Sequence, residues 1–193
     1  MAASDRVVTT AGAVFVVAAA SGDIHPQTLD GLYAHDTRFL SCFSLRLSGH
    51  EPMPLGADTF ENTVSSFYGR SAAAPELAEG AISVVRDRMV QQGLHEDISL
   101  LNHTAEPVRV RLELRFDADF ADVFEIRRIS GPAQAEKPGR TIVEALPGRG
   151  LRFVYRRRDF QRETHVAFTE RAEVRGRSAT FDLTLPAGGE WGT

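Results

Sequence analysis

Between Val108 and Phe120 the chain alternates strictly. Val108, Val110, Leu112, Leu114, Phe116, Ala118 and Phe120 fall in one phase, and Arg109, Arg111, Glu113, Arg115, Asp117 and Asp119 in the other. Successive side chains of an extended chain point to opposite faces, so this pattern predicts a long strand, apolar on one face and charged on the other. Such a strand needs neighbours along its edges and a second layer over its apolar face. The remaining sequence therefore has to supply a multi-stranded, layered β fold.

It carries the signals for one. Val14 to Ala20 is a mostly apolar run closed by Ser21-Gly22-Asp23, and predicts a strand buried on both faces. From Thr37 to Leu47 the phase Phe39, Phe43, Leu45, Leu47 points inward, interrupted at Ser41, with Ser48-Gly49-His50-Glu51-Pro52 turning the chain. Thr63–Tyr68, Ile82–Met89, Leu94–Leu101, Thr141–Ala145, Leu151–Tyr155, Thr164–Thr169 and Ser178–Leu185 follow as strands. Ser71–Gly80 is expected as a loop or one helical turn, and Ser130–Arg140 as a long mobile loop. Asn102–Pro107 is expected to close a hairpin onto the alternating strand. After Phe120 the period changes: Phe120, Val123 and Phe124 share a face only at helical spacing, with Asp119 able to cap a single turn. The predicted fold class is all-β, an antiparallel sandwich of about ten or more strands with at most one or two short helical turns. Glu190-Trp191 reads as the start of a further strand, so the 193 residues are expected to be one domain of a longer polypeptide.

Composition narrows the function classes. A formal charge of −4 with interspersed signs gives no basic field for nucleic acid or an anionic membrane. The Ala13–Ala20 run is too short to span a bilayer and lacks a basic flank, so a cytoplasmic protein is expected. The single cysteine, Cys42, excludes an internal disulfide and is read as a small buried residue. The Asn102-His103-Thr104 sequon is then turn chemistry rather than a glycan acceptor. Only one of 22 basic residues is lysine, an arginine bias that reads as genome base composition and points to a bacterial source.

Chemistry could gather in two places. Asp117, Asp119, Asp122 and Glu125 form an acidic cluster whose Asp-x-Asp spacing would suit a carboxylate pair or calcium. No glycine interrupts it to make a tight ion loop, and the neighbouring arginines favour pairing, so a structural or interface role is preferred. Asp36 and Arg38, two residues apart on an extended chain, would share a face, where Arg38 either bridges Asp36 or presents its donor fork outward, with Thr37 between and His35 alongside as a structural residue. Arg156-Arg157-Arg158, interleaved with Asp159 and Glu163, is read as a solvated turn. No nucleophile triad, phosphate loop or Cys/His metal spacing occurs.

The segments G-L-Y-A-H-D-T-R-F-L-S (31–41) and N-H-T-A-E-P-V-R-V-R-L-E-L-R-F-D-A-D-F-A-D-V-F-E-I-R (102–127), with their spacing, resemble the N-terminal domain of bacterial glycogen-debranching-enzyme-like proteins, relatives of amylo-alpha-1,6-glucosidase. The resemblance covers nearly the whole chain. It implies a supersandwich-like β domain in front of an (α/α)6 barrel that carries the catalytic carboxylates and lies outside these residues. On this basis the parent protein is expected to be a glycoside hydrolase and the present chain a non-catalytic accessory domain, with no cofactor, no metal and no catalytic residue of its own. Its expected partner is the C-terminal catalytic domain, and α-glucan indirectly. Asp36, Thr37 and Arg38 are the first candidates for the domain junction or a sugar contact, and Asp117, Asp119 and Asp122 the second. The alternatives are a stand-alone α-glucan-binding module and a small enzyme working through paired carboxylates.

Overall fold

The computed structural model describes residues 6–127 and 139–193. β1 (Arg6–Ala11), β2 (Val14–Ala19), β3 (Gly31–Ala34) and β4 (Thr37–Leu40) form one sheet in that order. β5 (Cys42–Leu47) leaves it for a second. β6 (Met53–Phe60), β7 (Val64–Arg70), β8 (Ile82–Val90) and β9 (Leu94–Asn102) build most of a third, and β10 (Val108–Asp117) returns to pair with β5. After the five-residue helix α1 (Val123–Arg127) come β11 (Arg140–Leu146), β12 (Gly150–Arg157) and β13 (Phe160–Ala167), a meander that is the fourth sheet. β14 (Glu173–Arg175) and β15 (Ser178–Leu185) complete the second sheet in the order β14-β15-β10-β5, and β16 (Glu190–Gly192) closes the third in the order β16-β9-β8-β7-β6.

The all-β, antiparallel expectation therefore holds, but among the described residues sixteen strands fall into four sheets, a propeller-like grouping rather than a single sandwich. The shared core explains why four sheets cohere. β10 is central to its sheet, and its apolar phase lines up with both neighbours: Leu47–Leu112–Phe181 and Leu45–Leu114–Ala179 make transverse rows, all buried. Each fully buried leucine or phenylalanine in these rows contributes on the order of 2 kcal/mol. Phe181 meets Trp191 of β16 at 5.2 Å between rings, which ties the second sheet to the third. Phe120 stacks near Tyr155 of the fourth sheet at 6.0 Å. The first sheet joins the third through a Thr9–Ser65 hydroxyl pair at 2.6 Å.

Three local expectations are corrected. The run Thr37–Leu47 is two strands in different sheets, and Ser41 is where the chain changes sheet, its N–H donating to the Asp117 carbonyl at 2.8 Å. In β2 only Val16 and Ala18 are buried, because the strand has a sheet on its edges but is covered mainly on one face. The Asn102–Pro107 link closes no hairpin, since β9 pairs within the third sheet and β10 within the second. Both strands are apolar on one face, so the chain folds them across the core instead of edge to edge. β1, β3, β6 and β14 were not foreseen: each is short, exposed or broken by Gly or Pro. The loop expected at 130–140 lies outside the described residues except at Gly139 and at Arg140, which opens β11.

Asn102 makes the crossover possible. Buried to 1% exposure, its amide nitrogen donates to the carbonyls of Glu106 (2.8 Å), Leu185 (3.2 Å) and Pro186 (2.8 Å). Its amide oxygen accepts from the Thr104 N–H (2.9 Å) and hydroxyl (2.8 Å). The sequon is thus turn chemistry. Asn102→Ala strands these partners and is expected to lower stability by about 2–4 kcal/mol. Urea unfolding followed by Trp191 fluorescence measures it, and a loss under about 0.5 kcal/mol would contradict this role.

Candidate functional site

The two predicted clusters meet. A backbone bridge pairs Thr37 with Asp122, and the Arg38 N–H donates to the Ala121 carbonyl at 2.8 Å, so residues 37–41 lie along residues 117–122. Arg38 is the hub of the contact. It is 2% exposed, and its Nε and Nη2 grip the Asp119 carboxylate, Nε at 3.2 Å, while Nη1 donates to the carbonyls of Thr28 (2.8 Å) and Asp30 (3.1 Å). Burial alone would lower the Arg38 pKa; the bond to Asp119 and its charge outweigh that and hold it above the ordinary value. Gly31 leaves room for this side chain, since a Cβ there would lie 2.5 Å from Arg38 Cδ.

The outward fork expected at Arg38 is therefore absent. Asp36 does not share its face: His35 and Asp36 both have positive φ, 46° and 59°, and form the tight turn between β3 and β4, leaving Asp36 exposed at the tip. Asp117 turns to Arg177 (3.1 Å) and to the Ala118 N–H (2.9 Å). The α1 cap is Asp122 rather than Asp119. Asp122 Oδ1 accepts from the N–H groups of Phe124 and Glu125, both at 2.8 Å, and Glu125 reaches back to the Asp122 N–H at 2.9 Å, a capping box. The periodicity change at Phe120 located this turn, and the Asp-x-x-Glu spacing of 122 and 125 was the signal for the correct cap.

The β3–β4 hairpin stands between two depressions. On one side Thr37, Phe120, Asp122, Tyr155, Arg158 and Phe160 line a surface cavity of about 570 Å³, with Phe160 46% exposed; Phe124 of α1 is 68% exposed. On the other, His35 lines a larger trough of about 910 Å³ with an aromatic floor that includes Phe39, Phe43 and Phe116. Two His–carboxylate pairs sit at its mouth, His95 with Asp97 (3.1 Å) and His165 with Glu163 (2.8 Å). Glu163 also takes both forks of Arg152. These bonds, Arg152 first, hold its pKa at about 2, so Glu163 stays ionised and cannot serve as a general acid near neutrality. Among the described residues no group of three or more His, Cys, Asp or Glu is placed to hold a metal. Cys42 is buried, and desolvation raises its thiol pKa, away from a reactive thiolate.

The most highly charged buried cluster went unforeseen. Glu96 lies between two arginines of β8: Arg86 Nε and Arg88 Nε each donate to one of its oxygens at 2.6 Å. Arg86 Nη1 continues to Asp23 and the Ser21 carbonyl (3.3 Å), and Arg88 Nη2 to the Gly22 carbonyl (2.7 Å). The Phe43 ring lies 4.8 Å from the Arg86 guanidinium, and Phe67 lies 4.9 Å from that of Arg88. The signal was in the β8 phase, where Arg86 and Arg88 alternate with the outward residues and fall in line with Ile82, Val84 and Val90.

Two predictions follow from these geometries. Arg38→Lys removes the fork of a buried, multiply bonded arginine and is expected to cost about 2–4 kcal/mol, Asp119→Asn, at a side chain 38% exposed, about 1–2 kcal/mol, whereas Asp36→Ala changes stability by less than about 0.5 kcal/mol. Equal urea midpoints for all three variants would refute the hub. The second concerns pH. Burial pushes Glu96 up, but the charges and bonds of Arg86 and Arg88 outweigh it and hold its pKa below the ordinary 4.5. As pH falls through about 4.5 the unfolded chain takes up this proton and the native state does not, so the Glu96 contribution is lost progressively on acidification. Asp23 has the opposite sign: desolvation raises it above 3.8, so its contribution is lost as pH rises through its native pKa. Glu96→Gln is therefore expected to be less stable than the parent at about pH 7 and to show a shallower loss below about pH 4.5. Parallel acid limbs in urea titrations of the two proteins would contradict it.

Compared with family models, residues 10–193 match that of the N-terminal domain of (some) glycogen debranching enzymes. No curated protein matches the chain.

Proposed function

The chain belongs to the family of N-terminal domains of glycogen debranching enzymes, and from that premise we propose that it is a non-catalytic accessory domain that packs on the catalytic barrel of the same polypeptide. The docking face is the one that carries α1 and the β3–β4 hairpin. One observation supports it above the others: Phe160, in the cavity lined by Thr37 and Asp122, is 46% exposed, and Phe124, in the same helix as the lining residue Glu125, is 68% exposed. An exposed ring on α1 and another on β13, with Asp122, Arg158 and Asp159 at the cavity between these elements, give the mixed apolar and polar character of an interface.

The acidic cluster fits this role better than catalysis. Asp119 is committed to Arg38, Asp117 to Arg177 and Asp122 to the α1 cap, so these three carboxylates are engaged in structural bonds and do not flank a common space as the acid and base of a glycoside hydrolase do. Substrate and linkage specificity then lie with the barrel. The buried, unreactive Cys42 accords with a cytoplasmic setting, which we include in the proposal.

The experiment is reconstitution of this domain with a separately produced catalytic domain of the parent polypeptide. Phe124→Ser with Phe160→Ser is expected to weaken association at least about tenfold while the urea midpoint of the free domain stays within about 0.5 kcal/mol of the parent. Unchanged association would remove this face from the interface. Release of glucose from an α-1,6-branched substrate by the isolated domain would overturn the non-catalytic reading.

A further inference from the structure

β9 is paired along its whole length on one side but only from Ile98 onward on the other. On the β8 side the register runs from Ile82–Asn102 to Val90–Leu94. On the opposite side β16 lies antiparallel, with Glu190, Trp191 and Gly192 against Leu101, Leu100 and Ser99. Thr193 then exchanges both backbone bonds with Ile98, at 2.8 and 3.1 Å. In an antiparallel ladder the N–H and C=O of one residue point to one neighbouring strand, and those of the next residue to the other. Ile98 points toward β16, so Glu96 and Leu94 turn their backbone groups to the same edge. The hairpin end agrees: the Gln91 N–H bonds the Gly93 carbonyl across the turn, while the Val90 N–H points away to Thr63. Among the described residues nothing pairs with the N–H and C=O groups that Leu94 and Glu96 present at this edge.

That edge belongs to the trough of about 910 Å³, which Leu94, Glu96 and Ile98 line together with the apolar Leu114, Val166 and Phe168. Glu96 lines it with its main chain: the side chain is 4% exposed and held between Arg86 and Arg88, yet the residue as a whole is only partly buried. The unpaired groups sit on alternate residues, two strand rises or about 6.7 Å apart. A small ligand would meet one repeat of this pattern, and a helix, whose backbone groups are bonded internally, would meet none. An added strand meets all of it. Residues directly opposite in an antiparallel pair share a face. Those opposite Glu96 and Leu94 would fall on the face where Ile98 and Leu100 are buried, and those opposite Asp97 and His95, both exposed, would face solvent. The pattern therefore calls for an extended segment that is apolar at alternate positions.

We propose that the trough seats the segment of the parent polypeptide that leads from β16 to the catalytic domain, added to β9 as a continuation of β16. The source of the segment rests on the accessory-domain reading above; the free edge and the trough do not. Continuity selects this occupant over a second chain. A segment leaving β16 in the established register arrives opposite Asp97, Glu96, His95 and Leu94 in turn, and its covalent link sets a high effective concentration. His35 of the β3–β4 hairpin lines the same trough, and Thr37 of that hairpin lines the cavity on the docking face. Seating the segment would thus fix the path of the chain beside the face that meets the barrel.

The test is residue-resolved amide hydrogen exchange of the parent polypeptide beside that of the 193-residue chain. The Leu94 and Glu96 amides are expected to exchange at least about tenfold more slowly in the parent, while those of His95 and Asp97, bonded to β8 in both proteins, keep their rates. Equal rates at Leu94 and Glu96 in the two proteins would overturn the proposal. So would equal slowing of all four amides, the mark of a cover without strand pairing. Reconstitution identifies the occupant: a separately produced catalytic domain that carries the segment is expected to protect Leu94 and Glu96, and one without it to leave them unprotected. Protection without the segment would assign the trough to the barrel, and concentration-dependent protection of the 193-residue chain alone would assign it to a second copy; either result overturns the proposal. In a parent carrying Phe124→Ser and Phe160→Ser, the slow exchange is expected to persist, and its loss would make it a product of docking and not of strand addition. Unchanged association of the reconstituted domains in that variant fails the docking reading alone.

Discussion

One carboxylate held between two arginines, sealed inside a β-sheet, persists only while every surrounding element keeps its place. Glu96 is that carboxylate. Desolvation works against its charge and against both guanidiniums, and only close bonds on every side offset the loss. The bonds come from separate parts of the fold: β8 supplies the arginines, β9 the glutamate, the loop after β2 supplies Asp23 with the Ser21 and Gly22 carbonyls, and β5 and β7 supply the aromatic faces of Phe43 and Phe67. Gly22 is where the loop comes closest. At a φ of 84°, a Cβ there would lie 3.0 Å from the Phe67 ring and 3.2 Å from Arg86 Cζ. Three of the four sheets are thus registered against one another by a single charge cluster. Apolar packing supplies the bulk of the stability, but it is non-directional and would tolerate sliding; the clamp does not.

What could be read from the sequence follows the same division. Alternation is a local property, so β10, β8, β9, β12 and β15 were legible from their own residues, whereas the turn read at Arg156–Arg158 narrows to Arg158–Asp159, because Arg156 and Arg157 continue β12. Sheet membership is not local. The Asn102–Pro107 link has the composition of a hairpin turn, and only the tertiary partners of Asn102, the carbonyls of Leu185 and Pro186, reveal a crossing between sheets. Ser41 was visible as a break in phase, yet nothing in residues 37–47 states that the halves join different sheets. β6 was missed because it is an exposed edge strand containing Pro54 and Gly56 with a register shift between them, which erases the period.

The candidate site was legible as a list of residues and illegible as a geometry. Residues 36–38 and 117–122 were both singled out, and the fold brings them into contact. Their roles depended on two features that no spacing rule reports. The positive φ of His35 and Asp36 places Asp36 in a turn instead of on a strand face, and the depth of Arg38 turns a candidate surface fork into an interior staple. Arg86 and Arg88 failed for the converse reason: charged residues in an apolar phase are ordinarily taken for the solvated side of a strand.

Arginine usage, attributed from composition to the genome, therefore has a structural component. Arg38, Arg86 and Arg88 each bond a carboxylate and one or more backbone carbonyls from distant segments, and each does so with a planar fork of five donors fixed in direction. Lysine, a compact charge with three donors on one atom, could reach the carboxylate or the carbonyls in these places but not both. The same usage bears on function. A carboxylate met by an arginine fork is kept ionised, and Glu96 and Glu163 are held below their ordinary pKa in this way. Glycoside hydrolysis needs one carboxyl kept protonated near neutrality beside another kept ionised. Among the described residues the carboxyl raised above its ordinary value is that of Asp23, through burial under the clamp, and it is already bonded to Arg86. Glu96 and Asp23 are bonded in this way between β8, β9 and the loop after β2, so their carboxylates hold separate parts of the fold in register.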